Sequence, residues 1–283
     1  MAGPRPITIL AALVAVALAL GATPAAATPG PALDHFGGRE LYVYVPAHLP
    51  PAGARALVIV LHGGLGNARR IVDQQSESAL NLDAEADKDG FVVAYLNGTP
   101  VTRFGDQMLG WNAGGGCCGQ SAANNIDDVA YIRGAVRDLT AKYGVDSARV
   151  FGIGHSNGAM MAQRMVCESD VFAAVVAISG PLNLRQASCP AARGRRILAL
   201  HGADDANVPV AGGRGAKGVA GVAWASEAAS QQAMQAAGAA YTLDLIPAAD
   251  HQLDHIEAQL EKIEGVTIGA RAAVFFGLAG KGG

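Results

Sequence analysis

Residues 154–158 read Gly-His-Ser-Asn-Gly, with a serine that could act as a nucleophile at position 156. An apolar run at 149–153 precedes this motif, and helix-forming residues at 159–166 follow it. Strand, tight turn and helix form the setting in which a Gly-x-Ser-x-Gly motif raises a serine hydroxyl above a parallel sheet. Glycines on either side of the serine allow the backbone to bend sharply. Ser156 is therefore the candidate nucleophile, and the chain must also supply a base, an acid and donors for an oxyanion.

The base that activates such a serine is normally a histidine, which is oriented by a carboxylate. In α/β-hydrolases the chain order is serine, acid, histidine, with each residue on a loop that follows a strand. Of the seven histidines, only His251 and His255 follow every candidate acid. His251 comes just after a predicted strand, whereas His255 lies in or near a predicted helix. We therefore predict His251 as the base and His255 as a surface residue.

The remaining histidines have simpler interpretations. His62 and His201 each end a predicted strand as a His-Gly pair, where a histidine usually braces the backbone of a loop. His155 lies inside the serine motif, where its ring is expected to pack beside the turn. His35 and His48 are expected at the surface.

Two acids between the serine and the base follow the carboxyl end of a predicted strand, namely Asp204 and Asp205. Spacing alone leaves both open as the orienting acid. The other aspartate of the pair is expected to cap the local turn, as aspartates in turns do.

An oxyanion hole needs two backbone N–H groups aimed at the developing negative charge. Asn157, directly after the serine, is expected to give one of them. The sequence His-Gly-Gly-Leu-Gly-Asn at 62–67 follows an early buried strand and has the form of a loop that gives the second. Gly64 is the expected donor, with Leu65 as the alternative. A phosphate-binding loop is disfavoured, since its lysine and Ser/Thr are missing.

The first residues have the features of a secretory signal. Residues 7–22 are almost wholly apolar, an arginine precedes them, and residues 25–27 are alanines. The apolar run is short for a membrane anchor and is followed by a segment rich in proline and alanine. We predict export and cleavage after Ala27, with residues 28–283 as one catalytic domain and no stable membrane span after cleavage.

The chain has four cysteines, Cys117, Cys118, Cys167 and Cys189. An even number in an exported protein suggests disulfides. Because a bridge between adjacent cysteines is strained, each of the first two is expected to reach one of the distant pair. Which cysteine pairs with which stays open.

Composition and pattern indicate a soluble α/β domain. The formal charge is −3 and no basic run is present, so nucleic acid is not an expected partner. Strands alternate with helices, which predicts a mostly parallel sheet covered on both faces. The segments after residues 179 and 209 are too short for a large lid, and residues 97–125 form a long glycine-rich loop. Predicted strands are 39–45, 56–61, 91–96, 149–153, 171–179, 197–200 and 241–246; predicted helices are 71–89, 127–143, 159–166, 224–237, 255–263 and 268–278.

As an ordered set, several motifs resemble secreted esterases of the poly(3-hydroxybutyrate) depolymerase and feruloyl esterase group. The resemblance implies an α/β-hydrolase fold, hydrolysis of esters, and neither cofactor nor metal. It also favours Asp205 as the acid, four residues before the proline of Val-Pro. The motifs, which extend from about residue 39 to 209, are Leu-His-Gly-Gly at 61–64, Trp-Asn-Ala-Gly at 111–114, Cys-Cys-Gly at 117–119, Ile-Asp-Asp-Val at 126–129, Ser-Asn-Gly-Ala-Met-Met at 156–161, His-Gly at 201–202 and Val-Pro at 208–209.

Near the base, members of this group often carry Gly-His followed by Trp-Pro, whereas this chain has Ala-Asp-His-Gln-Leu at 249–253. Trp111 is then the best remaining aromatic contact for a substrate, with packing of the cysteine loop as the alternative. Asp127 and Asp128 are expected to cap a helix and brace a loop.

The sequence thus predicts a secreted serine esterase whose substrate is a polyhydroxyalkanoate, or a hydroxycinnamoyl or acetyl ester. The alternatives are a serine peptidase on the same fold and a non-catalytic surface-binding protein. Acyl and alcohol preference and oligomeric state stay open.

Overall fold

The computed structural model describes residues 1, 3, 30–102, 105–184 and 188–279. The apolar stretch at 7–22 and the predicted cleavage site after Ala27 lie outside the described residues. None of the described helices is long and apolar enough to cross a membrane.

A central sheet of eight strands organises the fold. The strands are β1 (Ala32–Phe36), β2 (Arg39–Tyr44), β3 (Arg55–Leu61), β4 (Phe91–Leu96), β7 (Val145–His155), β8 (Ala174–Ile178), β9 (Arg196–Gly202) and β10 (Ala240–Ile246), with β5 (Thr99–Thr102) and β6 (Gly105–Gly110) in a separate hairpin. Their order across the sheet is β1-β2-β4-β3-β7-β8-β9-β10. The pairs from β4 to β10 are parallel, and β1 and β2 add an antiparallel edge.

Eight helices lie among the described residues: α1 (Ala68–Val72), α2 (Asp83–Asp89), α3 (Gly119–Ala123), α4 (Asp128–Tyr143), α5 (Asn157–Glu168), α6 (Glu227–Ala236), α7 (Leu253–Glu264) and α8 (Ile268–Phe276). Buried side chains of α4, α5 and α6 pack on one face of the sheet, and those of α1, α2, α7 and α8 pack on the other. In β3, Leu57 and Ile59 belong to the first core, while Val58 and Val60 belong to the second. A strand buried on both faces must be apolar throughout, which explains its unbroken hydrophobic run. The predicted α/β class with helices on both faces is confirmed.

Some predicted elements differ from the observed ones. The single helix predicted at 71–89 is two short helices, because the chain leaves α1 at Asp73 and the Asn81 side chain donates to the carbonyl of Val72. The predicted loop at 97–125 contains the β5–β6 hairpin and α3. The helix predicted from residue 224 starts at Glu227, because Trp224 pairs through its backbone with Gly213.

The disulfides join other partners than expected. Cys117 is bonded to Cys118, and Cys167 is bonded to Cys189 with 4.0 Å between their Cα atoms. The loop at 111–118 folds back on itself, since Cys118 N donates to the carbonyl of Trp111 and Ala113 N donates to that of Cys117. This local turn keeps the adjacent cysteines together, so neither reaches the distant pair.

Candidate active site

Ser156 lies at the sharp turn between β7 and α5. Its φ of 54° falls in the left-handed region, which non-glycine residues seldom adopt. A side chain at Gly154 would come within 2.5 Å of the backbone of Gly158, and one at Gly158 within 2.1 Å of the carbonyl oxygen of Leu61. The two glycines of the motif are thus required by close packing of the backbone, while the serine itself occupies the strained position.

The structure brings Ser156, His251 and Asp205 into one hydrogen-bonded line. His251 Nε2 lies 2.9 Å from Ser156 Oγ, and His251 Nδ1 lies 2.7 Å from Asp205 Oδ2. The carboxylate can only accept, so Nδ1 carries the hydrogen and Nε2 is free to accept the serine proton. Of the two candidate acids, Asp204 is exposed and only Asp205 contacts the base. His255 is at the surface and pairs with Asp250.

Asp205 is held by hydrogen bonds on both oxygens. Its side chain is fully buried, and Oδ1 accepts the backbone N–H groups of Asn207 and Val208 at 2.8 Å each. Burial raises the pKa of this carboxyl, but hydrogen bonds from His201 and His251 outweigh burial and bring the pKa below its ordinary value. Asp205 is therefore an anion at neutral pH and can act as an orienting acid.

Gly64 and Asn157, the two predicted oxyanion donors, line the same pocket as Ser156. Asn157 begins α5, so its N–H lacks an acceptor in the preceding turn. Gly64 lies opposite, where a Cβ atom would be 3.5 Å from that of Asn157. Within the described ranges, neither amide donates to another protein group. Leu65, the alternative donor, gives its N–H to the carbonyl of Leu109 at 2.8 Å, so the Gly64 amide is the available one.

Neutral histidines support both halves of this arrangement. His62 Nδ1 donates to the carbonyl of Gly63 at 2.8 Å, and its Nε2 accepts the N–H of Gly98 at 3.0 Å. Burial lowers the pKa of His62 to about 4. His155 Nε2 donates to the carbonyl of His251 at 2.8 Å, and burial followed by the nearby His251 lowers the pKa of His155 to about 3. The His62 ring braces the loop at 62–67, which contains Gly64 and is called the oxyanion loop below. The His155 ring holds the backbone of His251, the candidate base.

The family model of phospholipases and carboxylesterases matches residues 49–241, more than half of the chain, including the serine motif and Asp205. The chain belongs to this family. It is 30% identical over 179 residues to feruloyl esterase B of Piromyces equi, covering 62% of this chain and 31% of that protein. It is likewise 30% identical over 191 residues to the poly(3-hydroxybutyrate) depolymerase of Ralstonia pickettii, covering 61% and 37%. The chain therefore spans about a third of the length of these relatives.

This member of the phospholipase/carboxylesterase family shares its fold with solved structures of low sequence identity. Esterase 2 of Thermogutta terrifontis has a TM-score of 0.59 at 17% identity, with 90% of this chain and 98% of that chain covered. A puromycin-hydrolysing peptidase of Mycobacterium tuberculosis has a TM-score of 0.55 at 16% identity, with 88% and 40% covered. The fold thus occurs in both esterases and a peptidase and does not by itself decide between them.

In this family member Trp111 is not placed to contact a substrate, contrary to expectation. Its side chain is fully buried, and its indole N–H donates to the carbonyl of His62 at 3.0 Å. The Asn157 side chain also makes two hydrogen bonds with the Trp111 backbone. It accepts the Trp111 N–H at 2.7 Å and donates to the Trp111 carbonyl at 3.1 Å. The Trp111 ring therefore packs against the loop at 62–67. The Trp111 carbonyl also accepts the N–H of Cys118, which agrees with the alternative that Trp111 packs the cysteine loop.

A cleft of about 560 Å³ opens above Ser156. Trp224 is the aromatic residue in its wall, and the Cys117–Cys118 disulfide forms another part of the wall. Sequence reasoning missed Trp224 because it was assigned to a helix. Other residues that line the cleft are Leu65, Arg70, Met160, Val208, Lys217, Val219 and Leu253.

His201 and Glu227 form a hydrogen-bonded group with Asp205 that was not predicted from the sequence. His201 Nε2 lies 3.1 Å from Asp205 Oδ2, and His201 Nδ1 lies 2.7 Å from Glu227 Oε1. For His201 we had predicted only a bracing role, and Glu227 stands far along the chain with no motif around it. Asp127 and Asp128 act as expected, since Asp127 caps α4 and Asp128 accepts the N–H of Asn112. No cluster of metal-binding side chains occurs in the part of the chain that the structure describes.

Proposed function

We propose that the protein is an exported serine esterase that hydrolyses carboxylic esters through an acyl-enzyme. The observation that carries the proposal is the line from Ser156 Oγ through His251 to Asp205, next to the two free amides of Gly64 and Asn157. Nucleophile, base, orienting acid and oxyanion donors are the complete set that acyl transfer requires.

The geometry supports a two-step reaction. Ser156 Oγ attacks the ester carbonyl carbon while its proton passes to His251 Nε2, and the carbonyl oxygen becomes an anion held by the Gly64 and Asn157 amides. The intermediate expels the alcohol, which takes the proton from His251 and leaves the acyl group on Ser156. Water then attacks the acyl carbon, giving its proton to His251, and collapse returns that proton to Ser156 as the acid departs.

The cleft suits an ester with a short or aromatic acyl group and an extended alcohol group. Trp224 and the Cys117–Cys118 disulfide supply an apolar wall, and Leu65, which follows Gly64 in the loop at 62–67, is 42% exposed. The two relatives named above carry the names feruloyl esterase and poly(3-hydroxybutyrate) depolymerase. We therefore propose hydroxycinnamoyl, acetyl or polyhydroxyalkanoate esters as the substrate class.

Export follows from the predicted signal at the N-terminus. Under this proposal residues 28–283 are the mature enzyme and fold as one catalytic domain. The protein purified from the medium or periplasm of its host should begin after Ala27, as N-terminal sequencing or intact mass measures.

A substrate panel tests the function. The mature protein should hydrolyse short-chain nitrophenyl esters together with methyl ferulate or a polyhydroxybutyrate film, and should leave a peptide amide intact. Ser156→Ala serves as the blank and Ser147→Ala, at an exposed serine, as the matched control. Faster cleavage of the amide would make the protein a peptidase. No turnover of any substrate by folded wild-type protein would favour a surface-binding protein.

A further inference from the structure

Behind the catalytic line, a second hydrogen-bonded chain runs from Asp205 into the core. His201 on β9 contacts Asp205, and Glu227 at the first position of α6 contacts the other side of the imidazole. Tyr241 on β10 donates its hydroxyl proton to Glu227 Oε2 at 2.7 Å. The side chains of His201 and Glu227 are at most 1% exposed, so bulk water does not reach this group.

The acceptors around His201 favour a hydrogen on each ring nitrogen. Nε2 lies 2.8 Å from the carbonyl oxygen of Val208, an atom that can only accept, so Nε2 is protonated. Nδ1 faces Glu227 Oε1, and the other oxygen of that carboxylate already accepts a proton from Tyr241. Glu227 therefore has the surroundings of an anion, to which Nδ1–H donates.

Charge and position favour the same assignment. Glu227 stands in the first turn of α6, where the helix dipole stabilises a negative charge. With a neutral His201, two buried carboxylates would face one ring with no cation between them, which is unfavourable in an apolar interior. Burial alone would lower the pKa of His201, but the hydrogen bonds with Asp205 and Glu227 raise it to about 9.

Building on the proposed esterase function, we propose that His201 is a positioning residue that is charged at neutral pH. Its imidazolium, held in place by Glu227, keeps Asp205 ionised and aimed at His251. One oxygen, Asp205 Oδ2, receives hydrogen bonds from both histidines, at 2.7 Å from His251 and 3.1 Å from His201. The cation thus shares Asp205 Oδ2 with His251, restrains the carboxylate, and reduces how strongly the carboxylate attracts the proton on His251.

Within the described ranges, the titratable groups that contact His201 directly or through a shared partner belong to this arrangement. Asp205 comes from the loop after β9, Glu227 from α6 and Tyr241, through Glu227, from β10. His251 reaches it through Asp205, and the neutral His155 at the end of β7 is the remaining neighbour. The protonation state of His201 therefore depends on both Asp205 and Glu227. Of these two, only Glu227 makes no contact with Ser156 or His251, so it can be replaced without changing the proposed triad.

Glu227→Gln tests the proposal, because the amide keeps the shape of the side chain and removes its charge. Nitrogen-15 NMR of the histidine rings should show His201 in wild type with hydrogens on both nitrogens through neutral pH. In Glu227→Gln it should lose one of them at a pH at least about one unit lower, since an opposite charge at contact shifts a pKa by about 1–3 units. A wild-type His201 with one bare nitrogen at neutral pH would overturn the proposal.

The kinetic counterpart is a change in the shape of the pH profile. As His201 loses its proton in Glu227→Gln, kcat should fall several-fold with rising pH, with little change in KM. Glu257→Gln, a half-buried carboxylate elsewhere that accepts the N–H of Ile268, is the matched control and should keep the wild-type profile. Loss of activity by the same factor at every pH in Glu227→Gln would mean a structural role and contradict the proposal.

The NMR result also separates this inference from the esterase proposal. A doubly protonated His201 in a protein without Ser156-dependent ester hydrolysis would leave the inference on ionisation standing and remove the function. A neutral His201 in an active esterase would remove the inference alone.

Discussion

Two His-Gly pairs end parallel strands of the same sheet, yet one of the two histidines is neutral and the other is a cation. His62 follows β3, donates to one backbone carbonyl and accepts one backbone N–H, and burial keeps it neutral. His201, at the end of β9, lies between two carboxylates and is a cation. The dipeptide and its place in the fold are shared, so the partners that the rest of the chain brings to the ring determine its charge.

The two turns therefore contribute to the site in different ways. In the proposed mechanism, the turn at His62 shapes the oxyanion loop through hydrogen bonds alone, and the turn at His201 supports the Asp205 anion that orients His251. The comparison can be tested by changing each partner in turn.

The largest effect on activity should come from replacing the Asp205 carboxylate, which contacts the histidine of the His201 turn and has no counterpart at the His62 turn. Asp205→Asn should lower kcat by about 10⁴-fold, because the amide no longer holds His251 in the reactive tautomer. Steady-state hydrolysis of a short-chain nitrophenyl ester measures this. Asp204→Asn, one residue away and exposed, should stay close to the wild-type rate. Equal losses in the two variants would mean that the turn, not the Asp205 carboxylate, is responsible.

Removing the charged ring should cost more stability than removing the neutral one. His201→Gln leaves two buried carboxylates without their cation and should lower the free energy of unfolding by about 3–5 kcal/mol. Urea unfolding at neutral pH measures the change. Adding Glu227→Gln to His201→Gln should recover part of the loss, since one of the unpaired charges disappears. A double variant as unstable as the sum of the two single variants would contradict the pairing.

The two histidines should also make opposite contributions to the pH dependence of stability. The folded pKa of His201 is raised from 6.5 to about 9, so its contribution is complete below pH 6.5 and is lost as the pH rises through that window. The folded pKa of His62 is lowered from 6.5 to about 4, so stability is lost as the pH falls through that window.

Each of these changes amounts to at most about 3.5 kcal/mol, because one pKa unit corresponds to about 1.4 kcal/mol. The free energies of unfolding of wild type, His201→Gln and His62→Gln across both windows measure them. The difference from wild type should shrink towards high pH for the first variant and towards low pH for the second. The same pH trend in both variants would refute the contrast in charge.

The smallest effect should follow from replacing the neutral ring. His62→Ala leaves the buried N–H of Gly98 and the carbonyl of Gly63 without this partner, which should cost about 1–3 kcal/mol. Because the Gly63–Gly64 backbone loses its brace, kcat should fall more than KM rises. Thermal unfolding combined with ester kinetics measures both quantities. An unchanged kcat would separate His62 from the oxyanion loop.

Local pattern and chain order were sufficient to predict the strand–turn–helix around Ser156 and to select His251. Chain order also narrowed the acid to Asp204 and Asp205, and the family resemblance favoured the one that contacts the base. These signals are contiguous in sequence or follow from the direction of parallel strands.

The rest depended on contacts between distant segments. Glu227 reaches His201 across 26 positions, and Trp224 enters the cleft because its backbone pairs with Gly213. Trp111 carries the same aromatic side chain as Trp224 but lies beneath the oxyanion loop, which no local pattern distinguishes. The pairing of Cys117 with Cys118 likewise follows from the fold of one loop and not from the spacing of the four cysteines.

Covalent trapping of the nucleophile tests the account most directly. A fluorophosphonate probe, followed by intact mass and peptide mapping, should place one adduct per wild-type chain on Ser156. Labelling should be far slower in His251→Ala, which lacks the base, and absent in Ser156→Ala. An adduct on another residue, or ester hydrolysis that persists while Ser156 stays unlabelled, would contradict the role proposed for Ser156.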